Sequence, residues 1–383
     1  MLQWPFLGWG QDQKPINIGL VGPLTGANAL NGQLMKEGAE TAVLYINSKR
    51  GIHGRALKLI IEDDAGDPKQ ALVAANNLVG RSPDISFVIG HATSATTLPA
   101  APIYIENKTI LLAPVNADSL TTNPSPYVFR IIPPNSSYAK HVANEIIASG
   151  KTNIAIIHNQ TEYGRGFADL LKEHLNQRGI HEKLFEGFMA GENDYRALIS
   201  KFENAAINAV VLALYPHEAA LVIRQAAELG FIVGKKDKPS WFGHSLLVTR
   251  EFYEVAGDAA NGAKIVSVAG CDSLNLQSEL SHEKSTREVL TFFNRQGIAK
   301  VDVTHTIIFS AFEIASQALA NPSAVGVSTL SEILYANEFK TICGPLCFSR
   351  SGELREPDRS LALYEIGPNG PHLVKRYERS VRL

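Results

Sequence analysis

The feature that most constrains this chain is the regular alternation of short β-branched runs with segments of helical periodicity. Ile16 to Val21 reads as a strand ended by Gly22-Pro23. Leu30, Leu34, Ala42, Val43 and Ile46 then recur at helical spacing across Ala29 to Ser48. Leu57 to Ile61 is a second strand, closed by Glu62-Asp63-Asp64. Asp67-Pro68 combines an N-cap with a first-turn proline and opens a helix that reaches Val79. Ile85 to Ile89 and Ile110 to Ala113 read as strands flanking a helix expected from Leu98 to Glu106. Strands alternating with helices of this length require a parallel sheet with right-handed crossovers. In open sheets of this kind, ligands bind outside the carboxyl ends of the strands.

The rhythm then repeats. Tyr127 to Ile132 is a connecting strand, and Pro133-Pro134 can continue neither a helix nor a central strand, so it marks a crossover. A second block carries strands at Asn153 to His158, Lys183 to Phe188, Ala209 to Leu214 and Ser240 to Phe242, with helices between them. Later segments, including helices over Thr304 to Leu319 and Ser328 to Ala336 and a strand over Leu361 to Ile366, are too small for a third domain. The expected fold class is α/β, with two Rossmann-like parallel-sheet lobes. The chain crosses back to complete the first lobe and again to finish the second. The expected division is lobe 1 at 15–131 plus 264–343, lobe 2 at 132–263 plus 344–383, and an N-terminal extension at 1–14.

A chain of 383 residues with 19% charged residues and a formal net charge of −2 carries no dense basic stripe. That pattern argues against nucleic acid and against a polybasic membrane anchor. No apolar run reaches the roughly 18 residues that a membrane helix needs. The three cysteines, Cys271, Cys343 and Cys347, form neither a disulfide framework nor a zinc site. Cys343 and Cys347 flank Gly344-Pro345-Leu346, where a bridge would close the turn in an oxidising compartment; two free or buried thiols are the alternative.

The chemistry concentrates in the turn Gly90-His91-Ala92-Thr93-Ser94-Ala95-Thr96-Thr97. A strand ending in a hydroxyl-rich turn at a helix start offers unpaired backbone N–H groups and the positive end of the helix dipole, which suits a carboxylate. Thr93, Ser94, Thr96 and Thr97 can add hydroxyl donors; the plainer alternative is that they only cap the helix. His91 lies near Ser94, but the sequence places no acid beside it. The nucleophile-elbow, phosphate-loop, zinc-protease and dinucleotide fingerprints are absent. His141 and Glu145 have a metal-compatible spacing that suits a surface pair better. His158, His217 and His244 each end a strand or start a helix, where they can line a cleft; ordinary loop histidines are the plainer reading. Tyr163 and Tyr215 follow strands of the second lobe, where a flat apolar face with one polar tip can cover a small ligand.

With these residues in hand, the chain resembles the leucine/isoleucine/valine-binding type of periplasmic solute-binding protein, the receptor component of ABC importers. The resemblance rests on ordered motifs: Ile18-Gly19-Leu20-Val21-Gly22-Pro23-Leu24-Thr25-Gly26, Glu62-Asp63-Asp64 with Asp67-Pro68-Lys69-Gln70-Ala71, and Val88-Ile89-Gly90-His91. Glu162-Tyr163-Gly164-Arg165-Gly166, Ala190-Gly191-Glu192-Asn193-Asp194-Tyr195, Arg224-Gln225-Ala226 and Gly344-Pro345-Leu346 complete the set. The resemblance implies two lobes joined by a three-crossover hinge, a ligand clamped between them, no reaction and no cofactor. It implies an ABC permease as partner, a monomer, and an extracytoplasmic or periplasmic location with the export signal trimmed. The same fold also serves ligand-sensing regulators, which is the alternative reading.

The resemblance further implies site residues. The ligand carboxylate falls to Ser94 and the amides around it, Thr93 included. The next turn contributes Val115, Asn116 and Ala117, where the family pattern has a backbone carbonyl and a threonine. Tyr163 and Tyr215 supply aromatic cover, and Ser245 stands where the family has an acid for the ligand's ammonium. Ala117 lacks the hydroxyl and Ser245 lacks the charge, so either another acid such as Glu162 or Glu218 takes over, or the ligand has no amine. The expected ligand class is therefore an amino acid, a keto acid or an aromatic acid.

Overall fold

The expected alternation is present in the computed structural model, which describes residues 14–82, 84–231, 239–269, 284–357 and 361–377. Cys271 and the N-terminal extension, Lys14 excepted, lie outside the described residues. β1 (Ile16–Gly22) leads through α1 (Ala29–Ser48), β2 (Leu57–Asp63), α2 (Pro68–Arg81), β3 (Phe87–Ile89), α3 (Ser94–Glu106) and β4 (Ile110–Ala113) to β5 (Val128–Arg130). The second run comprises α4 (Asn135–Ala148), β6 (Ile154–Asn159), α5 (Glu162–Asn176), β7 (Leu184–Phe188), α6 (Arg196–Ile199), α7 (Lys201–Asn204) and β8 (Ala209–Ala213). It continues with α8 (Pro216–Glu228), β9 (Ser240–His244), α9 (Arg250–Ala256) and β10 (Lys264–Val268). Then come α10 (Lys284–Arg295), α11 (Val303–Leu319), α12 (Val327–Ala336), β11 (Glu338–Thr341), β12 (Gly344–Cys347), β13 (Leu361–Gly367) and β14 (Gly370–Arg376).

The chain divides into two compact units. One is Met1–Pro114, Thr121–Ile131 and Lys284–Arg355; the other is Val115–Leu120, Ile132–Glu283 and Glu356–Leu383. The first unit holds a five-stranded sheet of order β2-β1-β3-β4-β5, parallel throughout. Asp67 starts α2 as its spacing predicts, accepting the Lys69 and Gln70 amides at 2.9 Å each. Against the sheet's helical cover, α1 lies on α11 at close range. A Cβ on Gly38 would stand 2.8 Å from the His305 carbonyl oxygen, so only glycine lets the two backbones approach this closely. His305 accepts the Asp302 amide on Nδ1 and therefore donates from Nε2 to Glu37, 3.0 Å away. Fully buried Arg130, the last residue of β5, pairs with Glu353 at 2.8 Å.

The β11–β12 hairpin closes the first unit. Its turn is held from α11, where the Glu313 carboxyl group accepts the Ile342 amide at 2.7 Å. Cys343 in this turn is disulfide-bonded and Cys347 is a free thiol, so the bridge between these two that the sequence allowed is not formed. In the antiparallel register Cys347 stands opposite Glu338 and not opposite Cys343.

The second unit's sheet has the order β14-β13-β10-β9-β8-β6-β7. From β7 to β10 it is parallel and repeats the strand order of the first sheet, and β13 and β14 add an antiparallel edge. Its core joins Tyr138, Val142 and Ile146 of α4 with Phe167 and Leu171 of α5 and with Ile154, Ile156, Val211, Phe242 and Val266 of the strands. Each such side chain contributes about 1.5–3 kcal/mol through burial. Between β7 and β8, where one helix is expected, the chain forms two single turns, α6 and α7. Ser200 ends one and begins the other, and its hydroxyl donates back to the Ala197 carbonyl oxygen, a local bond that competes with helix continuation.

Candidate ligand-binding site

In each parallel sheet the strand order reverses direction at one place, where two neighbouring strands send their crossovers to opposite sides. In the first unit this lies between β1 and β3. The turn after β3 is Gly90 to Thr93, so the hydroxyl-rich stretch stands at the ligand end of a switch point. Gly90 has a φ of 135°, and a Cβ there would fall 2.1 Å from the Val21 carbonyl oxygen of β1. The peptide between Gly90 and His91 is cis.

The turn is fixed from beneath by His91. Its ring is fully buried, with Nδ1 2.7 Å from Asp64 Oδ2 and Nε2 3.1 Å from the Tyr104 hydroxyl. One tautomer satisfies all three residues: Nδ1–H donates to Asp64, and Nε2 accepts from Tyr104. Burial, aided by the Asp64 and Glu62 charges, pushes the Tyr104 hydroxyl far above its ordinary range, so it stays a donor. Asp64 also accepts the Gly66 amide at 2.9 Å. This is the acid partner that the sequence did not place beside His91. Both ring nitrogens are engaged away from Ser94, so no Ser–His nucleophile is assembled.

The helix α3 begins at Ser94, four residues before the expected Leu98, and contains Pro99 and Pro102. Thr93 is its N-cap: its hydroxyl accepts the Thr96 amide at 3.3 Å, while the Thr96 and Thr97 hydroxyls donate to the Thr93 carbonyl oxygen at 3.0 and 2.8 Å. The Thr93, Thr96 and Thr97 hydroxyls thus bind within the turn. Ser94 occupies the first helical position and is 2% exposed. The neighbouring β1 turn is ordered by Asp63, which accepts the Leu24 amide at 2.8 Å and the Thr25 hydroxyl at 2.6 Å. Burial acts to raise the Asp63 pKa, but the bonds from Thr25, Ala65 and Leu24 prevail and hold it below the usual carboxylate range.

In the second unit the corresponding switch point lies between β6 and β8, and Tyr163 and Tyr215 follow those two strands. Their rings stack at 5.4 Å with 9° between planes. The stack continues on the other face of the group: Tyr163 to His244 at 5.0 Å and His244 to Phe167 at 3.6 Å. Val115, Asn116 and Ala117 are buried, and they join the same assembly through Asn135. The Asn116 carbonyl oxygen accepts the Asn135 amide at 2.8 Å, and Asn135 Nδ2 donates to the Tyr163 carbonyl oxygen at 3.1 Å. Asn116 also donates to the Pro133 carbonyl oxygen at 2.9 Å. Ser245 opens a 3-10 turn directly after β9; its side chain lies outside the described set.

Glu218 is buried beneath the tyrosines. Its Oε2 accepts from Asn159 Nδ2 at 2.8 Å and from the Tyr215 amide at 3.0 Å, and its Oε1 accepts the Gly191 amide at 2.9 Å. It therefore braces the three turns around the stack. Glu162, the other acid considered, is exposed on the first turn of α5. The remaining histidines resolve as structure. His158 packs on Phe185, His217 is exposed near Glu251, and His141 stacks on Tyr377 at 4.0 Å. Glu145 takes Lys375 and the Tyr377 hydroxyl, and no metal-binding cluster occurs among the described residues. Of the three histidines considered for a cleft, His244 is the one that joins the aromatic stack.

A family model for periplasmic binding proteins matches residues 15–250. A Leu/Ile/Val-binding protein homolog from Brucella abortus is 31% identical over 369 residues, covering 95% of this chain and 94% of the relative. A leucine-, isoleucine-, valine-, threonine- and alanine-binding protein from Pseudomonas aeruginosa is 30% identical over 357 residues, covering 92% of this chain and 91% of its own length. The crystal structure of a leucine binding protein from Thermotoga maritima shares the fold, with a TM-score of 0.82 at 17% identity over 95% of this chain and 99% of that one. The chain belongs to the type I periplasmic binding proteins of the leucine/isoleucine/valine-binding family.

Proposed function

We propose that the chain is the extracytoplasmic solute receptor of an ABC importer and that it binds a small ligand through a carboxylate. The observation that carries this reading is the turn after β3. There a helix start at a sheet switch point is fixed by the Asp64–His91–Tyr104 chain and capped from within by Thr93, with Ser94 at the first helical position. The family match and the amino-acid ligands in the relatives' names support it. The disulfide at Cys343 suits an oxidising compartment, and no described helix is long and apolar enough to cross a membrane. On the family pattern, Ser94 and adjacent amides take the carboxylate, and Tyr163 and Tyr215 cover the ligand body. Binding then selects the closed form of a hinge, the form presented to a permease.

A thermal-shift screen of the full chain against amino acids, keto acids and aromatic acids tests the ligand class, because a ligand that binds the native state raises the melting point by mass action. With a ligand in hand, Ser94→Ala should weaken binding by about 1–3 kcal/mol in titration calorimetry. An unchanged affinity would remove Ser94 from the site.

A further inference from the structure

The charge balance of the whole chain argues against a polybasic anchor, but one corner of the first unit departs from that balance. Residues 47–58, the end of α1, the following loop and the start of β2, carry Lys49, Arg50, His53, Arg55 and Lys58 and no aspartate or glutamate. The loop is ordered. Asn47 Nδ2 donates to the Leu57 carbonyl oxygen at 2.9 Å and its Oδ1 accepts the Leu57 amide at 2.8 Å, and Ile52 and Arg55 exchange both backbone bonds at 2.9 Å. Arg50, His53 and Lys58 are exposed. Folding adds Lys14 to the group: Arg55 Nε donates to the Lys14 carbonyl oxygen at 2.8 Å, and Lys58 stands beside Asn17 in the β1–β2 register. Among the described residues, the carboxylates paired with this group are Asp84, on Lys14 at 2.8 Å, and Glu288, on Lys49 at 3.0 Å. Lys14, Lys49, Arg50, Arg55 and Lys58 thus outnumber their acids five to two.

A segment of interfacial composition joins the fold at the same corner. Residues 1–10 carry no charged side chain and hold Trp4, Phe6, Leu7 and Trp9, which include two of the chain's three tryptophans. Gly10 connects to Lys14 through Gln11-Asp12-Gln13, a reach of at most about 14 Å from the backbone that Arg55 holds. Aromatic residues favour the membrane–water interface, and lysine and arginine beside them are drawn to anionic headgroups. One such signal alone gives marginal binding, and two together give stable attachment. An acidic protein would match the cations and leave the uncharged aromatic run without a role, whereas a bilayer matches both. The corner lies at the amino ends of β1 and β2, opposite to the turn after β3, so attachment there leaves that turn facing away from the lipid.

We propose that this corner docks on a bilayer containing anionic phospholipid, with Arg50, Lys58 and their neighbouring cations on headgroup phosphates and residues 1–10 in the interfacial layer. The docking is independent of which ligand the chain carries. The test is flotation of the full chain, at low salt, with vesicles of phosphatidylcholine alone and of phosphatidylcholine with about 30% phosphatidylglycerol. Partition onto the anionic vesicles should be at least about tenfold stronger, and it should fall as added salt shortens the Debye length. Arg50→Glu/Lys58→Glu should cut that partition by about thirtyfold or more. Trp4→Ala/Trp9→Ala should cut it by about tenfold, with the circular dichroism of both variants retained. Equal partition onto the two vesicle types overturns the proposal, and so does partition that either double variant leaves unchanged. Absence of binding to both vesicles also overturns it and leaves the cations to an acidic protein partner.

Discussion

Replacing His91 by leucine should destabilise the turn after β3 far more than the loss of two hydrogen bonds suggests. The imidazole is fully buried between Asp64 and Tyr104, and Asp64 itself is 0% exposed. Without the ring, the Asp64 carboxyl group keeps, among the described residues, the Gly66 amide. Leaving a buried hydrogen-bonding group without its partner costs about 1–3 kcal/mol, more than the net worth of the bond itself. The Tyr104 hydroxyl, deprived of its acceptor, adds about 1 kcal/mol. If the stranded carboxyl group is the main cost, removing it should restore stability: Asp64→Leu/His91→Leu should recover about 1–3 kcal/mol relative to His91→Leu alone. Hydrogen exchange of the Ser94–Glu106 helix amides reads this locally, without requiring the whole chain to unfold in two states. A loss of protection in the double variant at least as large as in His91→Leu alone would refute the reasoning, and a loss equal to the sum of the two single losses would mean that the two side chains act independently.

Burial pushes Glu313 up to about 8, although part of the residue stays open to solvent. The folded chain then holds this proton more tightly than the unfolded one, whose carboxyl titrates near 4.5. Stability should therefore fall as pH rises from 4.5 towards 8, and urea midpoints of Glu313→Gln should lose that fall. His244 shifts the other way, from 6.5 to about 3, so stability falls as pH drops through that interval, and the slope should be shallower in His244→Phe. Its ring resonances should stay flat between about pH 5 and 8 in NMR titration. Gly90→Ala should destabilise by about 1–3 kcal/mol or more in thermal melts, since it combines a positive φ with a Cβ 2.1 Å from the Val21 carbonyl oxygen.

The elements with local signatures were legible in the sequence. The apolar spacing of α1 predicts Ala29 to Ser48, and the helix has those bounds; Asp67-Pro68 opens α2 by cap chemistry that needs no tertiary context. The start of α3 was hidden because Pro99 reads as a first-turn proline, whereas burial of Ala100, Ala101 and Tyr104 carries two interior prolines. Edge strand β14 is mostly exposed and ends in Lys375-Arg376, so it has no strand-like alternation to read. Within the site, Tyr163 and Tyr215 follow strands and could be named from that position alone. The partnership of Asp64 with His91 could not. They are 27 residues apart and meet because β1 pairs with β2 on one side and with β3 on the other, which aligns the two turns. Glu218 was readable as an acid near Tyr215, but its role as a brace depends on Asn159 and Gly191, which only the folded sheet brings to it.

The close seat of α1 on α11 has a consequence for synthesis. Gly38 rests against the backbone at His305, so the buried stripe of the first long helix is covered by a helix that leaves the ribosome about 270 residues later. At about 5–20 residues per second that delay is about 10–50 s. During it, Met35, Ala39, Ala42 and Val43 of the nascent chain have no native cover from α11. Newly made chains should therefore engage holdase chaperones through their amino-terminal third, and release should wait until translation has passed Leu319.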